Sequence, residues 1–337
     1  MTWSCSSSGH ALAIGLTLAL PGESPSANMP APSPSLSLPI ACDFQRDCSI
    51  QKYVDRDAGP GRQDYRCGRI TTDGHDGTDL RLRREEDLAR DVPVLAAADG
   101  RVLRVRDGMA DRNVRSLPPD ALGDRLAGNA VILDHGLGWV TQYSHLKLNS
   151  VAVRPGMRVR RGDVLGFIGM SGNAEFPHLH FEVRKDGTSV DPFLPGAGAT
   201  CGSGGANLWD KSAAKSLGYR PVEVLRVGFA ATAGEVPQRR RLGTPAELPG
   251  EAAALILWAN STGVQARDLQ LFRIIGPTGQ IILQKVFSVR DGGLDWLGYS
   301  GVARQGQRWA AGRYVGSYTL KRNGKLLSQQ QASVLIK

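Results

Sequence analysis

The sequence predicts an all-β chain built as two folded units in succession, and three observations carry that prediction. Forty-one of the 337 residues are glycine, an abundance that suits frequent tight turns better than long helices. Short β-branched runs recur between Asp-Gly and His-Gly turns, as antiparallel strands joined by hairpins require. The strand pattern then lapses over 201–220, where Gly and Ser accumulate, before it resumes; a boundary between units reads this way.

Taken in order, the chain opens on an apolar run from Ala11 to Leu20, a breaker at Pro21-Gly22 and small residues from Ser24 to Ala27. This is the layout of an export signal over 1–27, although no Lys or Arg precedes the apolar run. The run is too short to span a bilayer, so membrane contact is expected only through export. Residues 28–41, rich in Pro, Ser and Ala, are expected as an extended tether. Removal of the signal takes Cys5 with it and leaves Cys42, Cys48, Cys67 and Cys201. An even number of cysteines in a chain bound for the periplasm or cell envelope implies two disulfides, with three pairings open. The absence of any C-x-x-C pair argues against a cysteine zinc knot. Cys42 also lies too far beyond the apolar run to be a lipidation site.

The first folded unit is expected over 42–200. Strands are predicted within Val92–Val105, Asn129–Asp134 and Val151–Gly169. Between Gly108 and Gly128 a polar segment interrupts them, and Pro118-Pro119 stops any helix from crossing it. Such a long loop is either functional or decoration. After a linker at 201–221, the segments Val222–Phe229, Ala252–Trp258, Leu269–Ile275, Ile281–Val289 and Tyr314–Lys321 are apolar-rich and regularly spaced. They predict a small immunoglobulin-like β-sandwich over 222–337. Trp258, Trp296 and Trp309 belong either to its core or to an exposed site for a wall or protein partner, and the core is the simpler assignment.

The net charge of +9 implies attraction to polyanions. Its densest clusters, Arg81-Leu82-Arg83-Arg84 and Arg239-Arg240-Arg241, come with no nucleic-acid-binding motif. Nucleic acid is therefore not the expected partner. An acidic envelope polymer explains the charge equally well, as does a solvated basic surface.

Of the six histidines, His10 falls in the signal and His135 sits among turn residues. The other four lie in three motifs. In His75-Asp-Gly-Thr-Asp79, an extended backbone points 75, 77 and 79 to one side, with Gly77 leaving room for a metal between imidazole and carboxylate. In His178-Leu-His180 both imidazoles share one face of a strand while Leu179 and Phe181 face the core. Two buried imidazoles are costly unless something uses their nitrogens, and zinc is the commonest user. His145, in Tyr143-Ser-His145-Leu, closes another strand.

Together these motifs resemble the lysostaphin/LytM family of peptidoglycan-cleaving zinc endopeptidases. The resemblance runs from His75 to Phe193 through H-x-G-x-D, PVLAAADGRV, GNAVILDHG, TQYSHL, VRPGMRVRRGDVLGFIG, PHLHFEVRKDG and VDPF, in the family's order. It implies the family's antiparallel peptidase fold, with its duplicated hybrid motif and a groove for an extended peptide. It also implies one Zn2+ per chain on His75, Asp79 and His180, with His145 and His178 as the catalytic pair. Three protein ligands leave a fourth tetrahedral position for water, which zinc activates at neutral pH. The two unligated histidines are then available for its proton and for the tetrahedral oxyanion. The implied substrate is the peptide cross-link of peptidoglycan. Non-catalytic relatives that activate other wall hydrolases usually lack some of these side chains, and here all five positions are filled. The Gly108–Gly128 insertion departs from the family's compact pattern. No metal-blocking residue is evident before Cys42, so the mature form is expected to be open to substrate.

Overall fold

The computed structural model describes residues 33–196 and 198–337; the expected signal over 1–27 and the start of the tether lie outside them. The first strands are β1 (Cys48–Lys52), β2 (Thr78–Leu82), β3 (Pro93–Leu95), β4 (Gly100–Arg106), β5 (Asn129–Gly136) and β6 (Trp139–Leu146). β7 (Arg158–Val159), β8 (Val164–Phe167), β9 (His178–Lys185) and β10 (Thr188–Ser189) follow. One sheet runs β1-β2-β9-β6-β5-β4-β7, with β10 added to β9. All of its pairings are antiparallel. β3 and β8 pair separately.

β9 thus reaches the middle of the sheet, between β2 and β6, although it comes late in the chain. Leu80, Leu82, Leu179, Phe181 and Val183 all enter the hydrophobic core beneath it. Because side chains alternate along a strand, the intervening Asp79, His178 and His180 are delivered to the opposite face. This is the arrangement expected for β9 from its sequence. The result is a largely antiparallel β-sheet with one face buried in the core and the other carrying polar side chains.

Two stretches expected to be linkers are packed instead. Leu36 and Ile40, in the expected tether, are buried in the same core, and Leu36 N donates to Leu208 O at 2.7 Å. Within 201–221, Leu208, Trp209 and Leu217 enter that core as well. They flank the short helix α1 (Lys211–Ser216), which Asp210 caps by accepting from Ala213 N at 2.8 Å. Composition registers the Pro, Gly and Ser of these stretches, whereas a few widely spaced apolar side chains decide where the backbone goes. The cysteines pair as Cys42–Cys48 and Cys67–Cys201. Two such bonds suit an extracytoplasmic, non-reducing environment.

The C-terminal part comprises β11 (Glu223–Ala230), α2 (Val236–Leu242), β12 (Glu247–Leu248), β13 (Ala254–Thr262), β14 (Val264–Gln265) and β15 (Leu269–Ile275). It continues with β16 (Ile281–Ser288), β17 (Gly292–Gly293), β18 (Trp296–Ala303), β19 (Gly312–Arg322) and β20 (Lys325–Ile336). A three-stranded sheet, β11-β13-β18, and a five-stranded one, β12-β20-β19-β15-β16, share a core that includes Phe229, Leu257, Phe272 and Tyr318. The five predicted segments correspond to β11, β13, β15, β16 and β19. Five strands had no clear signal: β12, β14 and β17 are only two residues long, β18 is interrupted by glycines, and β20 carries three glutamines in its middle. Trp258 is fully buried, and Trp296 and Trp309 pack against the core, so these tryptophans are structural.

Several arginines of the two clusters are engaged within the fold, while the Arg84 and Arg241 side chains stay substantially exposed. Arg81 and Arg83 are buried, and Arg83 pairs with Glu223 across the junction between the two parts. Arg240 pairs with Asp295. Arg241 meets Glu85 at 2.9 Å, and Arg226 meets Glu86 at 2.8 Å. These partners lie far away in sequence, unlike Asp87 for Arg84 and Glu235 for Arg239, so Arg83, Arg240 and Arg241 look unpaired when read along the chain.

The two disulfides differ in the loop that each closes, 134 residues for Cys67–Cys201 against 6 for Cys42–Cys48. Replacing Cys67 and Cys201 with serine is expected to cost about 5 kcal/mol of unfolding free energy, and replacing Cys42 and Cys48 distinctly less. Guanidinium melts of the two double variants check the order; equal losses would contradict it.

Candidate metal centre

His75, Asp79 and His180 each offer one ligand atom, and the three atoms lie within 4.8 Å of one another. The Asp79 Oδ1 oxygen is the hub, 3.1 Å from His75 Nε2 and 2.9 Å from His180 Nδ1. The register between β2 and β9 sets Asp79 directly opposite His180. Two imidazole nitrogens and a carboxylate oxygen are a donor set that suits a divalent metal such as zinc and leaves a coordination position open.

His75 precedes β2 in a loop, so the extended run expected over 75–79 begins only at Thr78. The His75 ring is held from behind, where Nδ1 donates to Tyr53 O at 2.9 Å and Nε2 is left facing Asp79. Gly77 has a different purpose from the one its spacing suggested. A Cβ there would stand 2.6 Å from His180 Nε2 and 2.9 Å from Phe181 O, so its lack of a side chain makes room for the His180 ring, not for an ion. Asp76 contributes from the same loop, with Oδ1 3.2 Å from His180 Nε2. An outer carboxylate of this kind fixes a ligating ring and its tautomer.

Burial pushes the Asp79 carboxyl up, but His75, His178 and His180 together outweigh it and hold the group well below the usual carboxylate range. Burial pushes His180 down, yet its hydrogen bonds to Asp76 and Asp79 win and raise it to about 9.

His145 and His178 stand beside this centre, their ring centroids 4.6 Å apart. Burial takes His178 down to about 4 and His145 well below the ordinary histidine value, so both rings are neutral at pH 7. Each places Nδ1 against a backbone carbonyl, Ser171 O at 2.7 Å for His145 and Phe176 O at 2.9 Å for His178. A carbonyl only accepts, so the single proton of each neutral ring sits on Nδ1 and Nε2 keeps its lone pair. His135 instead bridges Asp99 O and Thr141 Oγ1, in keeping with the structural role expected of it.

His145 reaches the centre through a β-bulge. Strict alternation would send it to the core side with Tyr143. Between β5 and β6, however, Asn129 faces Leu146 and Val131 faces Tyr143, so β6 carries one residue more than its partner. His145 takes a left-handed backbone, φ +64°, and lines the groove together with Ser144. Leu146 returns to the core. Residues without any sequence signal hold the bulge. Asn129 Nδ2 donates to Leu146 O at 3.0 Å, Ser171 Oγ donates to the same oxygen at 2.7 Å, and His145 N donates to Ala127 O at 2.9 Å.

The five side chains lie in a groove of about 680 Å³. Arg115, Leu126 and Ala127 line it as well, so the Gly108–Gly128 insertion is part of its wall. That insertion is anchored by Arg115 to Glu175 at 2.6 Å and by Val114 N to Ala174 O at 2.9 Å.

Residues 73–192 match the model of Peptidase family M23, and this segment belongs to the M23 metallopeptidase superfamily. The chain is 35% identical over 104 residues to the cell division protein DipM of Caulobacter vibrioides, a match covering 31% of this chain and 14% of DipM. Over 65 residues it is 45% identical to the DD-carboxypeptidase/endopeptidase Mpg of Neisseria meningitidis, covering 19% and 14%. Over 117 residues it is 30% identical to the peptidoglycan DD-endopeptidase ShyA of Vibrio cholerae, covering 35% and 22%. The chain thus spans about a seventh of the length of the first two and under a quarter of the third.

Gly77→Ala is expected to displace the His180 ring and weaken zinc binding by about 10- to 100-fold in a chelator competition. An unchanged dissociation constant would contradict the role given to this glycine.

Proposed function

We infer that the chain is an exported zinc-dependent endopeptidase of the lysostaphin/LytM kind, acting on the peptide cross-links of bacterial peptidoglycan. One observation carries the reading. The Asp79 carboxylate gathers imidazole nitrogens from His75 and His180, while two more buried imidazoles beside it, His145 and His178, have Nδ1 committed to backbone carbonyls. A metal site alone needs no such pair, and neither does a protein that only activates other hydrolases.

Zinc held by His75, Asp79 and His180 supplies a Lewis acid and an activated water at neutral pH. The protein's own groups do the rest. Of His145 and His178, both neutral and with Nε2 unprotonated, one would accept the water's proton at Nε2. Once protonated, that ring would donate to the tetrahedral oxyanion and then pass the proton to the leaving nitrogen. The carbonyls of Ser171 and Phe176 keep both rings oriented throughout. The groove accepts an extended peptide across β2, β9 and β6, and the insertion at 108–128 contacts it from one wall.

The peptidoglycan substrate rests on the resemblance and on the printed activities of Mpg and ShyA. Cross-links made directly between stem peptides fit best, because a disulfide-bearing exported chain suits a periplasm. Residues 1–27 are taken as the export signal, 42–200 as the peptidase domain and 222–337 as an immunoglobulin-like accessory unit.

His145→Ala and His178→Ala are each expected to keep zinc while lowering kcat by about 10²- to 10⁴-fold. His180→Ala is expected to lose the metal. Metal analysis alongside turnover of a soluble cross-linked muropeptide tests all three, and a His145→Ala variant working at the native rate would refute the catalytic assignment.

A further inference from the structure

The C-terminal part reaches the candidate active site. Leu294 and Asp295, in the segment between β17 and β18, line the groove that holds the five side chains, and Leu294 also packs against the core of the peptidase sheet. Asp295 is fixed there by Arg240 and by Asn260 Nδ2, which donates to it at 3.0 Å. A module that only tethers an enzyme to its substrate has no reason to build the groove.

From this loop a continuous set of contacts leads to His178. Leu294 O accepts from Gln51 Nε2. Gln51 Oε1 accepts from Arg81 Nη1 at 2.8 Å. The Arg81 guanidinium lies 4.2 Å from the centroid of the Phe176 ring, and Phe176 O is the carbonyl that holds His178 Nδ1 at 2.9 Å. Arg81 also faces His178 across the β2–β9 ladder. Gln51 and Arg81 are 1% and 2% exposed. A buried guanidinium is expensive unless it is well paired, and an apolar side chain of the same volume is usually as stable. Among the described residues Arg81 makes no ion pair within 4.0 Å, so stability alone gives little reason for an arginine here. Its contacts give geometry instead, to the Phe176 ring on one side and to the loop on the other.

We propose that the Gly292–Asp295 loop is a wall of the catalytic groove and that Gln51 and Arg81 are positioning residues linking it to Phe176 and His178. The C-terminal unit is then required for the chemical step and does not serve only to find the wall. This rests on the reading of His178 as catalytic.

The test is the full-length double variant Gln51→Leu/Arg81→Met, which removes both buried partners at once and leaves neither unsatisfied, a change that cores tolerate. It is expected to retain zinc and the native melting temperature. Its kcat should fall about tenfold or more on a soluble cross-linked muropeptide, and by the same factor on intact sacculi, with KM little changed. A loss confined to sacculi, or no loss, would overturn the proposal. Should the double variant misfold, Gln51→Glu, which keeps an oxygen facing Arg81 but removes the donor to Leu294 O, is measured in its place against the same criteria. Nitrogen-15 NMR of the zinc-loaded protein separates the two readings. A wild type that cleaves no muropeptide would sink the function above, while unaltered His178 ring signals in the variant would sink this proposal whatever the activity.

Discussion

The pairing of β2 with β9 is the constraint on which the rest depends. It sets Asp79 opposite His180 and Arg81 opposite His178, and it brings two segments about a hundred residues apart in sequence into one site. The register is enforced from the other face of the sheet, where Leu80, Leu82, Leu179 and Phe181 are buried. A slip of one residue would turn those side chains outward and the ligands inward, so the hydrophobic core and the candidate metal site specify the same alignment. Burial stabilises the register, and the register in turn places the polar groups.

The site is also costly in ways that the surroundings offset. Four imidazoles and a carboxylate are drawn largely out of water, which disfavours their charged forms. The protein answers by giving each ring a partner: Tyr53 O behind His75, Ser171 O behind His145, Phe176 O behind His178 and Asp76 beyond His180. His145 carries the further cost of a left-handed backbone, of the order of 1–2 kcal/mol for a residue with a Cβ. The bulge is sustained by Asn129 and Ser171, both fully buried. A strained residue held by an over-determined network is where preorganisation is expected.

How much of this was legible in the sequence depended on whether the determining contact was local. The alternation in His178-Leu-His180-Phe is a property of one strand, so its two faces could be assigned directly. The placement of His145 could not, because the bulge arises from a mismatch with β5 that no feature of Tyr143-Ser-His145-Leu reveals. Gly77 was recognised as special, but the ring it accommodates comes from β9. The disulfide pairing, the packing of Leu36 and Ile40, and the pairing of Arg83 with Glu223 were hidden for the same reason, since each joins residues that only the fold brings together. Asp76 stood inside the recognised motif, yet its outer position against His180 appears only in three dimensions.

The central claim is that these five side chains hydrolyse a peptide bond with the help of zinc. It is tested most directly by mass spectrometry of a defined cross-linked muropeptide incubated with the full-length protein, then with protein stripped by a chelator, then with protein resupplied with zinc. The account predicts separated peptide products whose summed mass exceeds the substrate by one water, lost on stripping and restored by zinc. Products cut in the glycan strand, or peptide cleavage indifferent to the chelator, would contradict it.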